Sequence, residues 1–354
     1  MKKKQHQLRK TTIALLMAVA NSSLFLLPSS LLISCGNTKK STTEATTVAK
    51  PVGPVFSADS AYLFCEQQCA FGPRTMNSSA HEQCGEWIAR KFHDYGMQVT
   101  LQRADLRGYD GTVLKSTNII ASYRPEQQDR IMLCAHWDSR PWADNDPDEA
   151  NHHTPVMAAN DGASGVAVML EIARLLSAPD TTRTTNLPIG IDFVCFDAED
   201  WGTPQWAEYD GSGDTWALGS HHWAEQFSAQ ASKPRVRYGI LLDMVGGEGA
   251  RFYQEQMSTY YAPSVVKKVW AAAEAVGYGS YFPKSEGNGI TDDHLPVNQK
   301  AQIPCIDIIP HYPDCEASGF GPTWHTVHDD MQHIDRNTLQ AVGQTLIQVL
   351  FSEQ

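Results

Sequence analysis

Several apolar, β-branched runs in this chain stop abruptly at acidic or imidazole side chains. The clearest covers 187–201, where Leu-Pro-Ile-Gly-Ile-Asp-Phe-Val-Cys-Phe gives way to Asp-Ala and then to the adjacent carboxylates Glu199 and Asp200. A second run, 130–135, ends in His136-Trp137-Asp138, and a third, 238–242, ends in Asp243. Continuous apolar runs of this length predict buried strands of a mostly parallel sheet. Residues 97–104, 116–123 and 304–309 read as further strands. Helical periodicity falls between them. Residues 57–70 have Ser57 as N-cap, and 79–95 present Trp87, Ile88, Phe92 and Tyr95 on one face, closed by Gly96. Helices follow from Asn160-Asp161-Gly162 to about Leu176, then over 218–229, 263–276 and 335–351.

Strands alternating with helices, without an internal repeat, predict one α/β domain over 56–354. Its expected form is three-layer α/β/α around a mostly parallel (mixed) central sheet. The chemistry of an open α/β sheet lies in the crevice at the carboxyl ends of its strands. The runs above deliver His136/Asp138, Glu199/Asp200 and Asp243 there, and the crevice loops add Asp161 and His325. Taken singly, each has a plainer explanation: Asp161 as a helix N-cap, a strand-end Asp as a turn residue, a surface His as solvated. Together they place like charges in one crevice, which repulsion opposes unless a cation is present or a proton is shared.

Residues 1–34 hold five Lys/Arg and no acid, so a net charge of −12 leaves −17 on the rest of the chain. No basic face remains for nucleic acid. The basic start and the apolar stretch from Thr11 to Ser34 read as a signal peptide (1–34). Leu32-Ile33-Ser34-Cys35-Gly36 resembles the bacterial lipobox, which implies a lipid on Cys35 and a place on the periplasmic side of the cell envelope. An uncleaved anchor, or a plain signal with a coincidental Cys, would read similarly. Residues 35–55 are Thr-, Ser- and Lys-rich, a flexible linker by composition. Of the other cysteines, Cys134 and Cys195 fall inside strand runs. Cys65, Cys69 and Cys84, or Cys305 and Cys315, could pair, but sequence does not give pairing.

Mixed carboxylate and imidazole ligands suit Zn²⁺. The absence of Gly-x-Ser-x-Gly speaks against a serine nucleophile on an elbow. The ordered set His136-x-Asp138, Asn160-Asp161-Gly162, Glu199-Asp200, Asp243 and His325 resembles the M28-type zinc aminopeptidase clan from Gly72-Pro73-Arg74 onward. Within that clan, Leu218-Gly219-Ser220, Thr291-Asp292-Asp293-His294-Leu-Pro and Trp324-His325-Thr326 are similar to the animal-like, zinc-dependent (type II) glutaminyl cyclases. The segment from His136 to Trp142 looks like their bacterial members.

That resemblance implies one zinc on Asp161, Asp200 and His325, with Glu199 as general acid/base. It places Asp243 and Asp292 in a carboxylate network beside Glu199. Trp324, with Trp201 or Trp206, would wall the substrate pocket. It departs from the animal pattern in having Asp200 where those enzymes carry Glu, and in the spacing of the indole after the acid pair. The implied activity is a glutaminyl-peptide cyclotransferase acting, as a monomer, on peptides and proteins with N-terminal Gln. The alternative is a two-zinc aminopeptidase, for which His136 and Asp243 supply the extra ligands. A non-catalytic lipoprotein that binds peptide N-termini would require a missing ligand or base, and none is missing.

Overall fold

The computed structural model describes residues 51–177, 187–208 and 214–353. The expected signal peptide, the lipobox and most of the linker lie outside them. Strand β3 (Asp129–His136) is buried almost throughout and faces two cores at once. Side chains alternate across a strand. Ile131, Leu133 and Ala135 therefore enter one apolar layer, and Met132 and Cys134 enter the other. This is why the run shows no polar alternation in sequence.

The preceding elements are α1 (Ala58–Cys69), α2 (Ser79–Asp94), β1 (Gln98–Arg107) and β2 (Val113–Tyr123). After β3 come α3 (Ala163–Ser177), β4 (Gly190–Phe196), α4 (Leu218–Ala229) and β5 (Arg235–Leu242). Two short helices the periodicity does not reveal, α5 (Gln256–Tyr261) and α7 (His294–Gln299), flank α6 (Pro263–Ala275), and β6 (Cys305–Ile308) follows them. Helix α8 (Arg336–Phe351) closes the described chain.

The sheet order is β1-β2-β4-β3-β5-β6. Strands β4, β3, β5 and β6 are mutually parallel, whereas β1 and β2 pair antiparallel with each other and β2 pairs antiparallel with β4. Edge strand β1 is half-exposed in alternation, as a one-sided edge should be. The larger layer packs α1, α2, α3, α6 and α8 against one face, and the smaller carries α4 and α7 against the other. The expected three-layer α/β/α architecture is thus the observed one. Because β4, β3, β5 and β6 are parallel, their carboxyl ends share one edge, and every ligand-type terminus read from the sequence arrives there.

Two expectations need correction. Residues 51–55 are not free linker: the Val52 amide donates to Gln348 Oε1 (2.8 Å), and Gln344 Nε2 donates to the Pro54 carbonyl (3.3 Å), fastening this segment to α8. The seven described cysteines are all free thiols. Cys65, Cys84, Cys134, Cys195 and Cys305 are each spent as small buried apolar side chains.

Helix α3 starts against the sheet at a glycine. A Cβ on Gly165 would stand 2.2 Å from the Leu242 carbonyl oxygen and 2.8 Å from Ala135 Cβ, atoms of the β5 backbone and of β3. Gly165→Ala must push α3 off the sheet. It should cost about 1–3 kcal/mol, the usual range for overpacking. The check is a lower urea midpoint with an unchanged m-value.

Candidate active site and metal centre

The edge where the parallel strands end is built by backbone that leaves the sheet sharply. Ala198, Met244 and His325 all take left-handed conformations (φ 54°, 49° and 53°), uncommon for residues with a Cβ. Such strain persists only where surrounding contacts over-determine it, and it clusters at functional sites. Beside Ala198 and His325, buried carboxylates supply such contacts. Asp138 accepts the amide hydrogens of both Glu199 (3.1 Å) and Asp200 (3.1 Å). Asp329 accepts those of Asn160 (2.7 Å) and Asp161 (3.0 Å). Asp144 Oδ1 lies 3.4 Å from His325 Nδ1. Neither Asp144 nor Asp329 stood out in the sequence.

Arg140 links these pieces. It grips Asp144 through Nε (3.0 Å) and Nη2 (2.6 Å), while Nη1 donates to the carbonyls of Asp200 (3.0 Å) and Gly202 (3.1 Å). Its guanidinium lies over the rings of Trp142 and Trp216, 5.2 Å and 4.5 Å from their centroids. The bidentate pair is the strongest form of charge-assisted hydrogen bond, and it is buried.

Asp161, Asp200 and His325 converge so that one ligand atom from each lies within 4.8 Å of the others. His325 Nε2 is 3.2 Å from Asp200 Oδ1 and 3.6 Å from Asp161 Oδ2. Yet both Asp200 oxygens are buried and lack a hydrogen-bonded partner. Close approach without hydrogen-bond geometry, by two carboxylates and an imidazole, is the arrangement a shared cation requires. The donor set fits a divalent metal of the zinc type. A second grouping, His136, Asp161 and Asp243, is satisfied differently. His136 Nε2 hydrogen-bonds Asp161 Oδ1 (2.9 Å) and Asp243 Oδ1 (3.2 Å) directly. Asp161 therefore does not serve as a simple helix cap; its carboxylate is turned to His136.

A cavity of about 210 Å³ opens on the first grouping. Glu199, Asp243 and Asp292 line it together with Asp161 and His325, and its walls are Trp216, Trp324, Ile290, Ile309 and Phe320. Burial, together with Asp200 and Asp292 and only partly offset by His136, pushes Glu199 well above the carboxylate range. Burial and then Asp161 push Asp243 up to about 7. Behind Asp292 lie His294 and Asp307, fully buried and a third grouping of ligand type. Burial, with Asp292 and Asp243 beside it, pushes Asp307 well above the usual range.

The indole walls differ from expectation. Trp324 is stacked on His325 at 3.8 Å between ring centroids. Trp201 and Trp206 do not line the cavity. Trp201 packs against Trp142 and the Met76–Leu114 cluster, and Trp206 is 44% exposed beside His152 and His153. The second wall is Trp216, parallel to His325 at 5.9 Å. The physical reason is loop closure. Ala217 N–H donates to the Glu199 carbonyl (3.0 Å) and Leu218 N–H to that of Ala198 (3.1 Å), returning the far end of the loop to the acid pair. Proximity in sequence pointed to the wrong tryptophans.

Comparison with known proteins agrees with this geometry. The family model "Peptidase family M28" matches residues 118–350. The chain belongs to peptidase family M28. Among solved structures, a Bacteroides thetaiotaomicron glutaminyl cyclase is 52% identical, with a TM-score of 0.80 over 85% of this chain and 100% of that one. A Zn-dependent exopeptidase from Parabacteroides distasonis is 46% identical, with a TM-score of 0.80 over 85% of this chain and 100% of its own. The aminopeptidase YwaD of Bacillus subtilis is 29% identical over 77% of this chain, which spans only 52% of that relative's length.

Outer carboxylates typically contribute 10–100-fold to metal affinity by fixing a histidine ligand. Asp144→Asn should therefore weaken zinc binding by about that factor. Competition against a chromophoric chelator measures it, and unchanged affinity would remove Asp144 from this role.

Proposed function

We propose that this chain is a zinc-dependent glutaminyl-peptide cyclotransferase, converting the N-terminal Gln of peptides and proteins to pyroglutamate with release of ammonia. The observation that carries the reading is Glu199. It is a buried carboxyl raised by burial and by neighbouring acids, in a tryptophan-walled cavity on the Asp161–Asp200–His325 grouping. The 52% identity to a bacterial glutaminyl cyclase supports the same reading.

The reaction forms a bond from the substrate's α-nitrogen to its γ-carbonyl carbon and breaks the bond from that carbon to the amide nitrogen. Both reacting groups belong to one residue, so folding the side chain back supplies proximity. Asp161, Asp200 and His325 would hold one zinc, which when bound polarises the γ-carboxamide and stabilises charge developing on it. Glu199 accepts the proton the α-amine loses and returns it to the departing nitrogen, which leaves as ammonia. That double duty suits a carboxyl raised by burial and by neighbouring acids. Asp243 and Asp292 hold the surrounding charge and proton arrangement. Trp216 and Trp324 keep the cavity dry, which disfavours hydrolysis to Glu.

One metal is favoured over the two of an aminopeptidase because the groupings are satisfied unequally. His136 already hydrogen-bonds both carboxylates of its own grouping, whereas Asp200 has no partner. The lipobox at Cys35, outside the described residues, supports a lipid-anchored place in the cell envelope.

Incubated with a Gln-initiated peptide, the zinc-loaded protein should release ammonia and leave a product lighter by one ammonia. Release of free Gln would establish the aminopeptidase reading instead. Glu199→Gln should retain zinc but lose about 10²–10⁴-fold in turnover, the usual contribution of general acid–base catalysis. Loss of zinc in that variant would mean that the roles of Glu199 and Asp200 are exchanged.

A further inference from the structure

Helix α2 does not line the catalytic cavity, yet one of its side chains reaches the strand end that carries the acid pair. His81 is buried, and its Nε2 lies 2.8 Å from Asp197 Oδ1. Asp197 is fully buried, directly after β4 and two residues before Glu199. Its Oδ1 also accepts the amide hydrogen of Ala198 (2.9 Å), and its Oδ2 accepts that of Thr117 (2.6 Å). Both oxygens already act as acceptors, so the hydrogen on the imidazole contact belongs to Nε2. The imidazole is also stacked on Trp137, with 4.2 Å between ring centroids and 15° between planes. Gly85, one helical turn after His81, permits this close approach, since a Cβ there would stand 2.7 Å from the Trp137 ring.

We propose that His81 is a positioning residue for Glu199, fixing the Asp197 carboxylate that holds the turn before it. The inference rests on the acid/base role of Glu199 in the cyclotransferase reading. Ala198 sits in the left-handed region (φ 54°), which a residue with a Cβ keeps only under constraint. Its N–H is held by Asp197 Oδ1, and the orientation of that carboxylate is set by Thr117 and His81. The Asp197 main chain has a separate hold, its N–H donating to Asn118 Oδ1 (2.9 Å). Without His81 the strand end therefore stays in place, while the carboxylate that caps the turn loses one of its three donors. The turn at Ala198 is then free to relax, and Glu199 is the next residue along the chain. A proton carrier must stand within hydrogen-bond reach of the atoms it serves, so a small displacement is felt in turnover.

The test measures ammonia release from Gln-Gly-Ala amide at saturating zinc, comparing the unaltered protein with substitutions at position 81. His81 lines a groove of about 530 Å³ between α2 and the β1–β2 pair, so other side chains are accommodated there without crowding. His81→Leu removes the donor, and kcat should fall about 10–100-fold, up to the cost of displacing a reacting group by about 1 Å. KM should stay close to that of the unaltered protein, because the walls Trp216 and Trp324 belong to other segments. His81→Gln carries an N–H donor about as far from the backbone as Nε2 and should recover most of the turnover. His81→Asn, one methylene shorter, should not. If His81→Leu fails to fold, the Gln and Asn variants decide between them. Equal kcat in the Gln and Asn variants, or an unchanged kcat in folded His81→Leu, overturns the proposal while ammonia release leaves the cyclotransferase reading intact. Release of free Gln by the unaltered protein overturns that reading instead, and kcat for that release then serves the same comparison.

Discussion

Burial of like charge is the constraint on which this structure turns. Asp161, Glu199, Asp200, Asp243 and Asp292 are all buried at one edge of the sheet, and Asp307 lies behind them. Unpaired, each such anion would be strongly unfavourable. The molecule meets the problem in three ways. Some carboxylates, Asp138 and Asp329 among them, are saturated by backbone amides and act as structural anchors. Others, Glu199 and Asp307, are pushed up in pKa by burial and by neighbouring acids. Asp200 has no hydrogen-bonded partner for either oxygen, with only the His325 and Arg140 side chains nearby at 3.2 Å and 3.7 Å, and it is the position that a cation fits.

That sorting separates the adjacent acids Glu199 and Asp200 more sharply than their sequence does. Their amides are held by one carboxylate, Asp138, at equal distances of 3.1 Å. Their side chains nevertheless face different neighbours. Asp200 meets His325 and lies 3.7 Å from the Arg140 guanidinium, whereas the acids and imidazole acting on Glu199 include His136 and Asp292. One backbone anchor thus fixes the two carboxylates relative to each other, and neither can drift without the other.

How much of this the sequence reveals depends on range. The buried strands are legible because a strand between two apolar layers needs continuous hydrophobicity, and its end is marked by the first charged side chains. His136, Asp161, Glu199, Asp200, Asp243 and Asp292 could be found that way or through family motifs. The short helices α5 and α7 have too few turns to show a period. Trp216 was missed, and Trp201 and Trp206 misplaced, because the loop after Asp200 returns through two backbone hydrogen bonds at Ala217 and Leu218 that leave no trace in composition. Asp144 and Asp329 escaped notice for a similar reason. Among many surface-type acids, only tertiary contact shows which ones hold a ligand in place.

The shorter side chain of Asp200 finds its explanation in the same contacts. With one methylene fewer than Glu, its carboxylate reaches the shared point only if its backbone stands closer to it. Arg140 holds that backbone by the Asp200 and Gly202 carbonyls, and through Asp144 it is tied to the ring of His325. Trp216 lies over the same guanidinium and parallel to the same imidazole, so the hydrophobic wall of the cavity, Asp200 and His325 rest on one buried cation. A longer side chain at position 200 would reach past the point at which His325 and Asp161 now meet it, unless that backbone retreated. Retreat would break the grip of Arg140 and release Trp216. The length of the side chain at position 200 and the position of the wall are therefore one structural choice, set by Arg140.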